Sequence, residues 1–205
     1  MHLYLSYELI NLIAISGSDY ATSLLRDIDA LPKYHSTGAS IAMAANKISY
    51  YYNLRGPSMV IDTACSSSTS AINQAILSIK SGDCKMALVT GANLILSPDM
   101  FVHMSSLGFL SPTGICHSFD SLADGYARGE GVLAIVLKPL SQALTDGDPV
   151  RSIIRGHAVN QDGRTSGITL PSTVAQKENM DRVYTSSGID PSKITYLEAH
   201  VSAGN

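Results

Sequence analysis

The residue best suited to covalent chemistry is Cys65, in the stretch "GPSMVIDTACSSSTSAINQA" that runs from Gly56 to Ala75. Before it, Ser58 to Ala64 is short, mostly apolar and bounded by Gly56-Pro57, which predicts a strand buried on both faces. Periodicity alone does not separate such a run from a buried piece of helix. After it the period changes: Ala71, Ile72, Ala75, Ile76 and Ile79 recur at helical spacing, and Ser81-Gly82-Asp83 supplies a stop. Cys65 is therefore expected where a strand turns into a helix. Unpaired backbone N–H groups and the helix dipole at that point favour a thiolate. The same groups can hold the oxyanion that develops on a carbonyl under attack. A nucleophile on a strand-to-helix turn above the carboxyl end of a sheet suits acyl transfer. Position alone leaves a second reading open, in which Cys65 is a small buried hydrophobe.

The elements that must position this thiol follow from pattern. Ile41, Ala44, Ala45 and Ile48 form a helical stripe that ends before Arg55-Gly56-Pro57. Met86 to Thr90 predicts a buried strand, so that strand, helix and strand around Cys65 make one βαβ unit. Asp99 to Leu110 is expected to be helical, and "SPTG" at 111–114 a turn. Val132 to Leu137 and Ser152 to Arg155 are further strands in this reading, with the end of a helix in "SQALTDGDP" between them. Val174 to Ser187 predicts a helix with Ser172 as cap and Gly188 as stop, and "ITYLEAH" a strand that ends in His200. Gly125, Gly129 and Gly131 look like a phosphate loop, but they precede a strand instead of opening a helix. They are read as a tight turn feeding a buried strand. No internal repeat, low-complexity segment or linker interrupts the chain.

Composition narrows the setting. The 205 residues suffice for one sizeable core or one lobe of something larger. The charged fraction of 15% falls below the roughly 25% usual in soluble domains, which predicts surface hidden in a partner or in further chain. Net charge −3 and the lack of a basic run give no electrostatic reason for nucleic acid. Three widely spaced cysteines, Cys65, Cys84 and Cys116, form neither a disulfide framework nor a zinc pattern. The opening "MHLYLSYELINLIAIS" has no Lys or Arg and is broken by Glu8 and Asn11, so it is a poor signal peptide and too short to span a membrane. The expected setting is a reducing, cytoplasmic one without a membrane.

Four stretches carry a resemblance. "DTACSSS" at 62–68, "GFLSPTGICHSFDSLADGYARGEG" at 108–131, "VNQDGRTSGITLPS" at 159–172 and "YLEAH" at 196–200 resemble, in order and spacing, the β-ketoacyl synthase family. The likeness runs from about Ser18 to His200. "SDYATSLLRD", "LPKYHSTG" and "NKISYYYNLRGPSM" look most like ketosynthase domains of fungal multidomain polyketide synthases. The resemblance implies an α/β, thiolase-like layered αβαβα fold. Residues 1–205 would be a partial β-ketoacyl synthase domain, mainly the first half of that fold and the start of the second.

It also implies a chemistry. A cysteine takes an acyl group from a carrier-protein thioester; a malonyl-type thioester then loses carbon dioxide, and its carbanion attacks the acyl-enzyme in a Claisen condensation. Cys65 matches the family nucleophile and His200 the first of two active-site histidines, which donates to the thioester carbonyl. No cofactor is bound directly in such an enzyme; the substrates ride on the phosphopantetheine of an acyl carrier protein, and the working form is a homodimer. Ser66, Ser67 and Ser68 are read as first-turn residues that leave donors free around the thiol. Phe109, in the expected helix before "SPTG", would lie near the acyl pocket or the dimer contact. His35, His103, His117 and His157 match no catalytic position and are expected in surface or loop sites. Cys84 and Cys116 are expected to be inert and without partners.

Some residues depart from the family pattern. Where the family continues "GTGT" after the histidine, this chain reads Val201-Ser202-Ala203-Gly204-Asn205. A "KSNIGH" segment, which carries a lysine and the second histidine, does not occur in it. The opening strand and "FPG"-like segment of a full domain are expected to be missing, with "MHLYLSYELINLIA" an atypical replacement, and Thr69-Ser70 stand where the family has Leu-Val. Three functions are thus in play: a condensing acyltransferase of polyketide or fatty-acid-type synthesis, a catalytically incomplete ketosynthase-like remnant, and a cysteine hydrolase using Cys65 and His200.

Overall fold

The computed structural model describes residues 9–200. Their centre is a four-stranded sheet of β1 (Leu9–Ala14), β2 (Ser58–Ile61), β3 (Met86–Asn93) and β4 (Gly131–Leu137), in the order β2-β1-β3-β4. β1 runs parallel to both neighbours, with Asn11 opposite Ser58 on one side and Leu88 on the other. β4 closes the row antiparallel to β3, with Gly131 opposite Asn93. "LINLIA", atypical as it reads, is thus the central strand. It can be central because it has no Pro to break the ladders and no charge to bury.

Between β1 and β2 the chain forms α1 (Asp19–Leu24), α2 (His35–Ala39) and α3 (Ala42–Tyr51). The Ser18 hydroxyl caps α1 by accepting from the Ala21 amide at 3.2 Å. α3 lies against one face of β1. Fully buried Asn11 donates from Nδ2 to the Ala45 carbonyl at 2.8 Å and to the Ser49 hydroxyl at 3.1 Å, and Ser49 in turn donates to Ser58 at 2.8 Å. A polar side chain in the central strand therefore fixes α3 on β1 and β2.

The opposite face holds the core. Ile10, Leu12 and Ala14 pack with Ala71 and Ala75 of α4 (Ser67–Ser81) and with Cys84, Ala87 and Val89. Small residues at positions 71 and 75 let the helix approach the sheet closely. Ile10 and Leu12 are fully buried, and each such side chain contributes about 1.5–3 kcal/mol by leaving water. β2, α4 and β3 follow one another in the chain, yet β1 sits between the two strands, so α4 crosses over the central strand.

Beyond the core several expectations are corrected. α5 spans Asp99–Ser106 and stops short of Leu110, because Gly108 takes φ +70 and turns the chain; Phe109 follows the helix instead of lying in it. β4 forms as expected but is not buried: Leu133 is 79% exposed, and Val132 and Val136 are each 61% exposed. It is the sheet edge, and only Leu137 at its end packs against the core. α6 (Leu140–Asp146) and α7 (Thr173–Ser187) follow; α7 is capped by Ser172 and ended by Gly188 at φ +64, as its sequence predicts. Ser152 to Arg155 and Ile194 to His200 are not strands. A strand needs a neighbour to pair its backbone groups, and these runs have none among the described residues. No helix there is long and apolar enough to cross a membrane.

Candidate active site

Cys65 follows β2 by way of Asp62, Thr63 and Ala64, and is exposed. The turn is sharp. Ala64 takes φ +54, a left-handed conformation that costs a residue bearing a Cβ about 1 kcal/mol or more. Asp62 holds it by accepting from the Ala64 amide at 3.0 Å. The Ser67 hydroxyl, nearly buried, accepts from the Thr63 amide at 2.8 Å and donates to the Ala64 carbonyl at 2.6 Å. Ser66 donates to the carbonyl and to Oγ1 of Thr63, both at 2.8 Å, and Thr63 Oγ1 meets the Ser70 hydroxyl at 3.0 Å. Thr69 donates to the Ser66 carbonyl at 2.9 Å. The two polar residues at the family's Leu-Val positions thus tie the turn together.

One detail differs from expectation. The Ser66 and Ser67 amides are taken up by the Thr63 and Ala64 carbonyls, at 3.3 and 3.0 Å. They are not free donors around the thiol.

The carboxyl ends of the strands carry the rest of the site. Gly91 of β3 makes room for Ser68, since a Cβ there would lie 2.9 Å from its hydroxyl. Asn93 Nδ2 donates to the Gly129 carbonyl at 2.5 Å, and the Ile95 amide donates to Glu130 at 2.6 Å. These bonds hold "ADGYARGEG" beside the sheet. Within it, Tyr126 is pinned by its amide to the Phe109 carbonyl at 3.1 Å and by its carbonyl to the Ser111 amide at 3.0 Å. Its hydroxyl donates to Met104 Sδ at 3.1 Å. Burial, and then the nearby Cys65, push the Tyr126 phenol above its ordinary range, with Arg128 opposing. Tyr126 is therefore a neighbour of the thiol that sequence reasoning missed. Only the turn before β4 hinted at it.

The other candidates lie elsewhere. His200 is exposed at the end of the unpaired run from Ile194, and no hydrogen bond joins it to Cys65. Cys84 is buried, and burial pushes its thiol up. Cys116 is exposed and does have a partner: its sulfur accepts from the Ala127 amide at 3.1 Å. His157, expected at the surface or in a loop, lies in an irregular segment and is half-buried against α4.

A thiol on a strained strand-to-helix turn, above a largely parallel sheet, makes this an α/β protein with an arrangement that suits attack on a carbonyl. Comparison with known proteins makes the class specific. Residues 8–143 match the N-terminal domain of β-ketoacyl synthases and residues 151–204 the C-terminal domain, and the chain belongs to that family. It is 54% identical over 182 residues to the lovastatin diketide synthase of Aspergillus terreus, covering 89% of this chain and 7% of that protein. To the compactin diketide synthase of Penicillium citrinum it is 52% identical over 182 residues, again 89% of this chain and 7% of the relative. Among solved structures it resembles the ketosynthase from module 6 of the Bacillus subtilis bacillaene synthase. That match has 38% identity and a TM-score of 0.86, over 97% of this chain and 34% of that one. An oxazolomycin ketosynthase domain of Streptomyces albus matches with 33% identity and TM-score 0.86, over 93% of this chain and 34% of that domain's chain. The fold is thiolase-like, and the chain spans about a third of the solved ketosynthase chains.

Proposed function

We propose that this chain is part of an acyltransferase of polyketide-type synthesis, in which Cys65 carries the growing acyl chain and His200 assists the condensation. The observation that carries this reading is the turn itself. An exposed thiol follows a left-handed Ala64; the side chains of Asp62, Ser66, Ser67 and Thr69 hold the backbone around it with hydrogen bonds, and those of Thr63 and Ser70 bond to each other. A buried structural cysteine needs no such frame.

In the proposed reaction the Cys65 thiolate adds to the carbonyl of an acyl thioester on the phosphopantetheine arm of a carrier protein. A new C–S bond forms and the carrier thiol leaves with a proton. A malonyl-type thioester then loses carbon dioxide. The electron pair released forms the carbon–carbon bond to the acyl group, and Cys65 departs as thiolate. His200 donates to the thioester oxygen as enolate charge develops. The partners are an acyl carrier protein and a second copy of the synthase, in the cytoplasm. The exposed apolar side chains of β4 support burial of this face in a larger assembly.

Loading with a radiolabelled acyl-pantetheine thioester tests the reading. Label retained on wild-type protein and lost in Cys65→Ala is expected. Rapid release of free acid would identify a hydrolase instead, and no labelling of folded protein would overturn the assignment.

A further inference from the structure

His157 belongs to the stretch matched by the family's C-terminal domain, yet it is tied to the helix that begins next to Cys65. Its Nδ1 lies 2.7 Å from Asn73 Oδ1 and its Nε2 lies 3.5 Å from Lys80 Nζ. An amide oxygen only accepts, so Nδ1 carries the proton, and the lone pair of Nε2 receives the Lys80 ammonium. Asn73 and Lys80 are two turns apart on α4 and share one face, so the ring is gripped from both ends.

The segment around His157 is held from its other side by α7. Asn160 Nδ2 donates to the Ala175 carbonyl at 2.6 Å, Asn179 to the Ala158 carbonyl at 3.5 Å, and Arg182 to the Val159 carbonyl at 3.4 Å. A Cβ on Gly156 would sit 3.0 Å from side-chain atoms of Val183 and Ser187. α7 and residues 156–160 therefore form one piece. Two hydrogen bonds, both made by His157, join residues 151–200 to α4.

We propose that His157 is the positioning residue that seats the 151–200 segment on α4, that it does so as the neutral imidazole, and that protonation opens the joint. The segment includes His200, so its seating bears on where His200 stands relative to Cys65; that consequence rests on the proposed function, whereas the joint does not. Protonating Nε2 removes the acceptor and sets two cations side by side. Lys80 of α4 is the charged group in contact with the ring, and Arg182 of α7 is turned to the Val159 carbonyl two residues on. Neither is a carboxylate that could shelter the imidazolium.

Desolvation, and then Lys80, hold the His157 imidazole below its ordinary range. The unfolded or detached segment therefore binds the proton first. The stability of the joint is complete above about pH 6.5, the ordinary imidazole value. It is lost as the pH falls from there toward the lowered native value.

The test follows the His157 ring and the amide signals of residues 151–160 by NMR in the full chain, between about pH 7.5 and about pH 5.5, where imidazoles titrate. In wild type, the ring should titrate below the ordinary range, and the amide signals should move with it toward those of a detached segment. His157→Gln keeps a donor and an acceptor but no proton equilibrium, so its amide signals should stay at the neutral-pH pattern throughout. His157→Ala should show the acid pattern already at neutral pH. Lys80→Met, an exposed change, should raise the ring's titration toward the ordinary range and shrink the acid response. An acid response of equal size in His157→Gln, or a His157 that titrates at or above the ordinary range, would overturn the proposal whether or not Cys65 is ever acylated.

Discussion

The Thr63 amide donates to the buried Ser67 hydroxyl at 2.8 Å, across the turn that presents Cys65. The same hydroxyl donates to the Ala64 carbonyl at 2.6 Å, so one side chain joins the end of β2 to the start of α4. Ser67→Ala leaves the buried-side Thr63 amide without its partner and the Ala64 carbonyl with the Ser67 amide alone. It should lower unfolding free energy by about 1–3 kcal/mol in urea titration. Ser70→Val touches only the more exposed Thr63–Ser70 contact at 3.0 Å and should cost under about 1 kcal/mol. Equal losses in the two variants would show that burial of the Ser67 bonds is not what holds the turn.

The three thiols should separate by rate. Cys65 is exposed on its strained turn, whereas Cys84 is buried and its thiol is pushed up by desolvation. At neutral pH fewer Cys84 sulfurs are thiolates, and fewer still meet solvent. Limiting iodoacetamide followed by peptide mapping should label Cys65 at least about tenfold faster than Cys84. Cys116, whose sulfur is occupied by the Ala127 amide, should fall between them. Preferential labelling of Cys84 or Cys116 in folded protein counts against Cys65 as the nucleophile.

Ala64 offers a direct reading of strain. At φ +54 its methyl is out of place, and glycine adopts that region without penalty. Ala64→Gly should be neutral or stabilising by up to about 1 kcal/mol, the relief of strain offsetting the added freedom of the unfolded chain. A branched side chain is worse there, so Ala64→Val should destabilise by about 2 kcal/mol or more. Thermal unfolding of the two variants checks both signs, and a less stable Ala64→Gly would mean the conformation is not strained.

How much of this was legible in the sequence depended on where the stabilising partners lie. The thiol at the strand-to-helix change was readable because a short apolar run bounded by Gly56-Pro57 gives way to helical spacing within a few residues of Cys65, and the stop of that helix at Gly82 is local. The same holds for α7, whose cap Ser172 and stop Gly188 are its own neighbours in sequence. Strands are different, since a strand exists only if another pairs with it. "LINLIA" became the central strand because Ser58 and Leu88 flank Asn11, a fact no local pattern states. "ITYLEAH" also reads as a strand and has no described partner. Tyr126 and His157 were missed for a related reason. Each acquires its role from residues distant in sequence, Cys65 and Met104 for the first, Asn73 and Lys80 for the second.

Gly56 is the most exposed test of the sheet order. The residue lies in the turn that delivers the chain into β2, and a Cβ there would sit 2.3 Å from the Leu9 carbonyl oxygen and 2.7 Å from its carbon. Both atoms are backbone of the central strand, which is paired on its two sides and cannot move without loosening one ladder. The nearby Asn11 amide to Pro57 carbonyl bond, 2.9 Å, would be strained first. Gly56→Ala should therefore cost about 3 kcal/mol or more, at the upper end for overpacking, with early loss of the β1–β2 pairing in amide exchange. Gly38 in α2 is the control. Nothing lies within 4 Å of a Cβ added there, so Gly38→Ala should stabilise by roughly 0.5–1 kcal/mol. A Gly56→Ala chain as stable as wild type would mean that Leu9 does not pass beside this turn, and that "LINLIA" is not the strand between β2 and β3.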